Sequence, residues 1–183
     1  MAVMTPAEVT STQRLDVPRP GRYRISPEDS AVTIRTRHLF GLGAVRATLA
    51  LRDGRVLVSE RPEASTAAAR FAVPTFASGN QARDAAVLSP RLLGAEAYPS
   101  LSFTSTELVS EQGQWSLRGE LEVRGVTRLV AARIRALESD GTTLRVNARV
   151  SIDRYDFGIT TYRGLAARRL TVDLAVTAHR EES

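Results

Sequence analysis

The fold is decided by a stretch near the C-terminus that reads TLRVNARVSIDRYDFGI, residues 143–159. In its first ten residues polar and apolar side chains alternate strictly, from Leu144 through Ile152. A period of two places alternate side chains on opposite faces of a strand, so the pattern predicts one apolar and one hydrated face. The alternation stops at Asp153, where acids, a base and two aromatics precede Gly158. We interpret this charged, aromatic end as the rim of a sheet.

The same alternation returns through most of the chain. Turn signals separate the alternating segments, and among them Asp53-Gly54 is a strong hairpin signal. Further turns are predicted at Gln112-Gly113, Arg124-Gly125 and Asp140-Gly141. Many strands at short spacing, with almost no helix, predict an antiparallel barrel or sandwich. The predicted strands cover residues 22–25, 31–37, 45–51, 55–59, 63–71, 101–109, 115–123, 128–137, 144–152 and 169–179.

One segment, residues 74–99, has a different composition. Gln81 to Leu88 contains good helix formers and no glycine. Ser78, followed three residues later by Gln81, suits a helix-capping box. We therefore predict one short helix, followed by a loop rich in Pro and Gly.

Composition excludes several kinds of protein. The chain has 183 residues, 43% hydrophobic and 25% charged, which is typical of one globular domain with a core. With no cysteine and only His38 and His179, disulfides, thiol chemistry and a Cys- or His-rich metal site are not expected. Residues 1–20 show little periodicity and are expected to be a flexible arm. Because that arm does not resemble a signal peptide and no apolar run would span a membrane, the sequence predicts a cytoplasmic protein.

The net charge of +5 raises the question of a nucleic-acid partner, since basic proteins attract phosphate. All 25 basic residues are arginine. Together with the many alanines, this indicates GC-rich codon usage rather than selection for a ligand. The arginines are spread along the polar sides of the predicted strands, often near acids. We therefore expect solvated barrel faces and no nucleic-acid partner.

Three groups of residues are candidates for chemistry. His38, at a strand end, suits a general base or metal ligand, but a turn histidine bonded to backbone is the favoured interpretation. Arg83-Asp84 on the predicted helix favours a local ion pair or a tether between helix and barrel. Asp153 and Asp156 resemble paired carboxylates, but Arg154 and the strand end favour salt bridges at the rim. The sequence contains no nucleophile elbow, phosphate loop, dinucleotide fingerprint or zinc motif, and we predict no catalytic residue.

The apolar face has another use if the sheet closes. About eight strands enclose a space just wide enough for side chains or for one slender ligand. Small side chains leave room for a ligand, whereas bulky neighbours fill it, and the spacing alone leaves both outcomes open. The predicted inward set mixes small residues, Ala47, Gly119, Ala132 and Ala148, with branched ones, Leu49, Leu117, Leu121, Ile134 and Val146.

An ordered set of motifs resembles the YceI-like family of lipocalin-like, polyisoprenoid-binding proteins. Each motif is weak alone, and their common order is specific. They are Tyr23 to Ser30, His38 with Gly41, Arg83-Asp84, Tyr98 to Phe103, Gly119 to Thr127 and Ile152 to Ile159. Two departures stand out: Leu92-Leu93-Gly94 replaces an aromatic pair and an acid, and Leu129 replaces a proline.

The resemblance implies an all-β fold over residues 21–180, an eight-stranded antiparallel lipocalin-like barrel with one short helix near its mouth. It also implies binding, storage or transport of a long isoprenoid or quinone-like lipid, no catalysis, no other cofactor, no metal, and a homodimer. The mouth residues would be His38, Arg83 and Asp84. The expected ligand-binding residues are Leu49, Phe103, Leu117, Leu121, Ile134, Val146, Ala148, Val172 and Leu174.

Two alternatives remain at this point. One is a small enzyme acting on a lipid-like substrate, with His38 as its base beside Arg83-Asp84. The other is a filled barrel that serves as an interaction module, with residues 1–20 as the contact.

Overall fold

The computed structural model describes residues 18–38 and 43–182, without the side chain of His38. The predicted arm lies outside the described residues except for residues 18–20. In the described part, nine strands and one α-helix, α1 (Gln81–Leu88), follow one another. The strands are β1 (Gly21–Ile25), β2 (Ala31–His38), β3 (Gly43–Val58), β4 (Thr66–Ala77), β5 (Ser100–Glu111), β6 (Gln114–Val123), β7 (Val126–Ser139), β8 (Thr143–Asp153) and β9 (Arg169–Arg180).

The strands close into a barrel. From β2 to β9 each strand pairs antiparallel with the next, and β9 pairs with β2 to complete the ring. The short strands β1 and β2 share one position between β3 and β9, since β2 pairs with the first half of β3 and β1 with the second half. Nine strands therefore fill eight positions. The predicted eight-stranded antiparallel lipocalin-like barrel with one helix is confirmed.

The barrel has two ends with different covers. At the end that we call the mouth end lie α1, the loop 89–99, the turn 124–125 and the segment 154–168. The opposite end, called the far end, carries the β3–β4, β5–β6 and β7–β8 connections and the C-terminal end of β9. The helix lies beside β4 at the mouth end, as the family resemblance implies.

Apolar side chains collect inside the barrel in two clusters. The larger cluster, around Tyr23, Leu49, Phe71 and Leu144, occupies the far half, and the smaller one, around Leu121, lies at the mouth. Tyr23 is fully buried, and its phenol donates a 2.8 Å hydrogen bond to the carbonyl of residue 19. Because a buried hydroxyl needs a partner, this bond fixes the chain as it enters β1.

The hairpin predicted at Asp53-Gly54 is wrong. β3 runs straight through this pair, and its register against β4 shifts there. A Cβ at Gly54 would come within 2.6 Å of Ile25 Cδ1 and 2.9 Å of the Ala68 carbonyl oxygen. The glycine therefore permits close approach of β1 and β4 instead of a turn. The chain reverses later, through residues 59–65, so the predicted strand 63–71 begins only at residue 66.

The second half of the chain agrees with the alternation. All five strands predicted there are present, with ends that differ by no more than two residues. Two of the predicted turns, Gln112-Gly113 and Arg124-Gly125, have two successive positive φ angles, 51° and 78° in the first and 53° and 72° in the second. This is the type I′ geometry that matches the twist of a tight hairpin.

The helix occupies the predicted residues but its predicted cap is wrong. Asn80, and not Ser78, is the N-cap, and its side chain accepts a 2.9 Å hydrogen bond from the Arg83 amide. Asn80 lies directly before the first helical residue, where a side-chain oxygen reaches the third amide of the helix. Ser78 lies too far back and binds Asp84 instead.

Candidate functional site

The barrel encloses one large apolar cavity. Its volume is about 670 Å³, and each of the nine strands contributes to its wall. Volumes of this size are typical of small-molecule sites in proteins. The interior is therefore open rather than filled, which answers the question that the strand spacing leaves undecided.

All nine residues predicted to bind a ligand line this cavity. They come from β3, β5, β6, β7, β8 and β9, so they surround the space instead of forming one patch. The neighbours Glu120 and Arg145 are exposed on the outside, as the alternation requires. Contact of the lining residues with a ligand stays a prediction. The lining residues are Leu49, Phe103, Leu117, Leu121, Ile134, Val146, Ala148, Val172 and Leu174.

Small side chains account for part of the free space. Ala47, Ala132 and Ala148 line the cavity, where larger side chains would narrow it. Gly119 has a different role: a Cβ there would come within 2.6 Å of the Phe103 ring and 2.5 Å of the carbonyl oxygen of residue 104. Gly119 therefore lets the Phe103 ring lie against the sheet.

The helix and the following loop cover part of the mouth. Ala86 and Val87 of α1 line the cavity together with Leu92 and Leu93. Both leucines pack against the cluster around Leu121. The two leucines that replace the expected aromatic pair thus still close this side of the opening with apolar surface.

The other side of the mouth is the segment 154–168, which is held by a buried arginine. Arg154 is only 6% exposed, and burial lowers the pKa of its guanidinium. In the segment, four carbonyls converge on this one cation, which satisfies most of its donors. The acceptors are the carbonyl oxygens of Ile159 (2.8 Å), Thr161 (2.7 Å), Ala166 (3.2 Å) and Ala167 (2.9 Å).

The salt bridge predicted at the rim is present at Asp153, but its partner is not Arg154. Asp153 pairs instead with Arg168 at 2.6 Å, and its other oxygen accepts the Tyr155 amide at 3.0 Å. The physical reason is that Arg154 faces the inside of its own segment, where it meets backbone oxygens and not the rim. Sequence reasoning missed this role, because a pattern of residue types gives no sign of which carbonyls will converge.

The Tyr155 ring lies among three cations of the same segment. The guanidinium groups of Arg154, Arg163 and Arg168 lie 5.0, 5.2 and 5.0 Å from the centroid of the Tyr155 ring. Cations at this distance from an aromatic ring are attracted by its electrons. Tyr155 thus joins three like charges that would otherwise repel one another.

Arg83 and Asp84 act as a tether between the helix and β4. Among the described residues they form no ion pair with each other, and both bind Ser78, which follows the end of β4. Arg83 Nε donates to Ser78 Oγ at 2.8 Å, and Asp84 Oδ1 accepts from the Ser78 amide at 2.9 Å. Of the predicted mouth residues, Arg83 lines the cavity. The side chain of His38 and residues 39–42 lie outside the described residues.

Metal binding and membrane crossing would each leave a signature in the described part of the chain. No three His, Asp or Glu side chains there lie close enough to hold a metal ion. The same residues contain no helix with the length and hydrophobicity to cross a membrane.

A closed antiparallel barrel of eight positions around one apolar cavity defines the lipocalin-like class. A family model, the YceI-like domain, matches residues 23–178. The chain belongs to the YceI-like family. No curated protein matches it by sequence.

Solved structures share the fold at low sequence identity. BcnA from Burkholderia cenocepacia superposes with a TM-score of 0.72 at 15% identity, covering 84% of this chain and 98% of that chain. A polyisoprenoid binding domain from Saccharophagus degradans, implicated in plant cell wall breakdown, gives 0.67 at 12% identity, covering 89% and 100%. The Campylobacter jejuni YceI protein gives 0.52 at 20% identity, covering 64% and 73%. At these identities the likeness extends to the fold alone.

Proposed function

We propose that the barrel binds one long apolar chain, an isoprenoid or quinone-like lipid, and stores or carries it without catalysis. The observation that carries this proposal is the cavity of about 670 Å³ with an apolar wall. Membership of the YceI-like family adds support, as does the likeness of the fold to a polyisoprenoid binding domain.

The energetics favour an apolar chain over a polar ligand. Burial of apolar carbon contributes about 0.8 kcal/mol per CH₂, so a five-carbon isoprene unit contributes about 3–4 kcal/mol before losses. Ordering of the chain and lost translational freedom offset much of this gain. Such a wall selects by length and shape, since it presents few polar groups for recognition.

The absence of catalysis is part of the proposal. The polar side chains at the mouth with defined contacts are used for structure: Arg154 holds its own segment, and Arg83 and Asp84 hold Ser78. An enzyme acting on a lipid-like substrate would need His38 as its base, and a filled interaction module would need a packed interior. The open cavity favours lipid binding over the module.

Organic extraction of the purified protein, followed by mass spectrometry, tests the proposal. We expect one lipid of isoprenoid type per barrel after expression in more than one host. Protein that is extracted first should take up an added isoprenoid quinone in the same ratio. A barrel that is empty from every host and takes up no isoprenoid would contradict the proposal.

A homodimer and a cytoplasmic location are part of the same proposal and remain to be tested. Light scattering of the purified chain measures its mass in solution, and a mass equal to one chain of 19.9 kDa would rule out the dimer. Fractionation of the source cells measures the compartment.

A further inference from the structure

The mouth end of the barrel is basic. Its covering segments, residues 81–99, 124–125 and 154–168, contain six arginines and three acids. Arg128, exposed near the start of β7, adds another positive charge beside them. The six arginines are Arg83, Arg91, Arg124, Arg154, Arg163 and Arg168, and the three acids are Asp84, Glu96 and Asp156.

The far end has the opposite charge. Its described segments, residues 18–20, 59–65, 112–113, 140–142 and 181–182, contain five acids and two arginines, Arg19 and Arg61. The two ends of the barrel therefore carry opposite net charge, which the overall net charge of +5 does not reveal. A molecule with such a charge distribution turns its basic end toward an anionic surface. The five acids are Glu60, Glu63, Asp140, Glu181 and Glu182.

Exposed apolar side chains lie within the basic end. Tyr162 is 36% exposed and Leu165 50% exposed, and both also line the cavity. The segment 154–168 thus presents apolar surface to the solvent and to the interior at once. Single exposed apolar residues are common on protein surfaces, but these two combine exposure to solvent with a place in the cavity wall.

We infer that the mouth end docks on an anionic lipid bilayer, with Tyr162 and Leu165 in the headgroup region and arginines against the lipid phosphates. Apolar and aromatic side chains next to basic ones are the usual composition of a surface that lies in the membrane interface. Basic residues near an anionic leaflet each add to the affinity. The acidic far end is repelled, which directs the opening toward the membrane.

This orientation has a consequence for lipid exchange, which rests on the proposed function. A chain that leaves the cavity past Tyr162 and Leu165 would enter the bilayer without crossing water. Docking itself does not require a bound lipid. An experiment can therefore contradict the docking proposal or the lipid-binding proposal without contradicting the other. A nucleic-acid partner fits less well, because the half-exposed aliphatic side chain of Leu165 lies between Arg163 and Arg168 in the chain.

Flotation of the full chain with vesicles tests docking. We expect binding to vesicles that contain phosphatidylglycerol, little binding to pure phosphatidylcholine, and loss of binding as salt screens the charges. The double variant Arg91→Glu/Arg163→Glu should bind about tenfold more weakly. Both residues are exposed and neither lines the cavity, so lipid occupancy should not change.

A matched control separates position from net charge. Arg22→Glu/Arg61→Glu makes the same change of charge with two exposed arginines, one on β1 and one in the 59–65 connection, both at the far end. It should float like the wild type. Equal loss of binding in both double variants would overturn the inference, as would equal binding to neutral and anionic vesicles. Arg91→Glu alone is the fallback if the double variant unfolds.

Leu165→Ser distinguishes a bilayer from a nucleic acid. It should weaken flotation and leave any binding to duplex DNA unchanged, since it removes apolar surface and no charge. DNA binding that competes with vesicles, combined with unchanged flotation of Leu165→Ser, would overturn the inference. Wild-type protein that floats but contains and accepts no isoprenoid would leave docking intact and remove the lipid cargo.

Discussion

The wall of the barrel and the segment 154–168 are stabilised in different ways. In the wall, every strand is paired on both sides, so hydrogen bonds and apolar burial are distributed over the ring. The segment has no such ladder, and the four hydrogen bonds of Arg154 converge within it. Hydrogen bonding is thus spread over many residues in the wall and converges on one side chain at the mouth.

This difference governs what a single substitution does. A substitution in a strand of the wall removes one contact among many. Removal of the Arg154 guanidinium leaves several carbonyls of the segment without their hydrogen-bond donor. Buried acceptors that lose a charged donor cost more than the hydrogen bond itself. The predictions below run from the largest expected loss of unfolding free energy to the smallest.

Arg154→Met should have the largest effect, a loss of about 3 kcal/mol. Methionine fills part of the same space but donates no hydrogen bond, so residues 159–167 lose the group that gathers them. Hydrogen exchange should increase in residues 158–168 before it increases in the strands. Chemical unfolding and exchange mass spectrometry measure the two effects.

Arg163→Met is the control, because Arg163 lies in the same segment but is exposed and contacts the Tyr155 ring. The substitution should lower the free energy of unfolding by less than about 1 kcal/mol. The conclusion that Arg154 holds the segment together would be wrong in either of two cases. One is an equal loss of unfolding free energy in both variants, and the other is unchanged hydrogen exchange of the segment in Arg154→Met.

Gly119→Ala tests the tightest point of the wall and should cost about 1–3 kcal/mol. Its Cβ would meet both the Phe103 ring and a backbone oxygen, and backbone gives way less easily than a side chain. Ala131→Val adds two carbon atoms to the exposed face of the adjacent strand and should stay within about 0.5 kcal/mol. Thermal unfolding distinguishes them, and equal melting temperatures would contradict the crowding at Gly119.

The difference between the wall and the segment 154–168 also explains which features the sequence predicts well. Strand periodicity repeats along the chain, so each strand of the wall carries its own signal, and the inward and outward assignments follow from it. Leu121 and Glu120, for example, occupy opposite faces because one residue step reverses the side-chain direction. The cavity wall could be named from sequence for this reason.

The mouth follows no such repeat. The partner of Asp153 is Arg168, fifteen residues along the chain, and nothing in the spacing distinguishes it from Arg154. Asp53-Gly54 likewise has a sequence that is typical of a turn. Gly54 instead allows the close approach of Ile25, which lies on another strand. Both interactions depend on how distant parts of the chain meet, and local patterns do not contain that information.

Leu121→Trp tests whether the wall surrounds a binding site, with a smaller expected effect on stability. In a packed core the ring would cost about 1–3 kcal/mol, but beside a cavity of about 670 Å³ it has space, so we expect less than about 1 kcal/mol. Lipid occupancy, measured by extraction and mass spectrometry, should fall by more than half.

Glu120→Trp is the matched control, since it places the same ring on the exposed face one residue away. It should retain both lipid and stability. Loss of lipid in both variants would indicate general damage to the barrel. A large fall in the melting temperature of Leu121→Trp alone would mean that the space around Leu121 is not free.

Asp173→Asn has the smallest expected effect and concerns the outside of the wall. Asp173 on β9 lies between Arg149 on β8, at 2.6 Å, and Arg35 on β2, at 3.1 Å. The hydrogen bond from Arg149 is the main reason that the pKa of this carboxyl lies below its usual value, and the positive charges of Arg149, Arg35 and Arg135 lower it further.

A lowered carboxyl pKa gives stability that is present above the unfolded pKa of about 3.9 and is lost as the pH falls through the folded pKa. At neutral pH the asparagine variant should therefore be less stable by about 0.2–1 kcal/mol, the range for solvent-exposed ion pairs. In acid the wild type loses this contribution while the variant has none to lose, so their unfolding free energies should converge. Asp156→Asn is the control, an exposed acid with no ion pair among the described residues. A difference between Asp173→Asn and wild type that stayed constant from neutral to acid pH would mean that packing, and not charge, connects β2, β8 and β9 at this point.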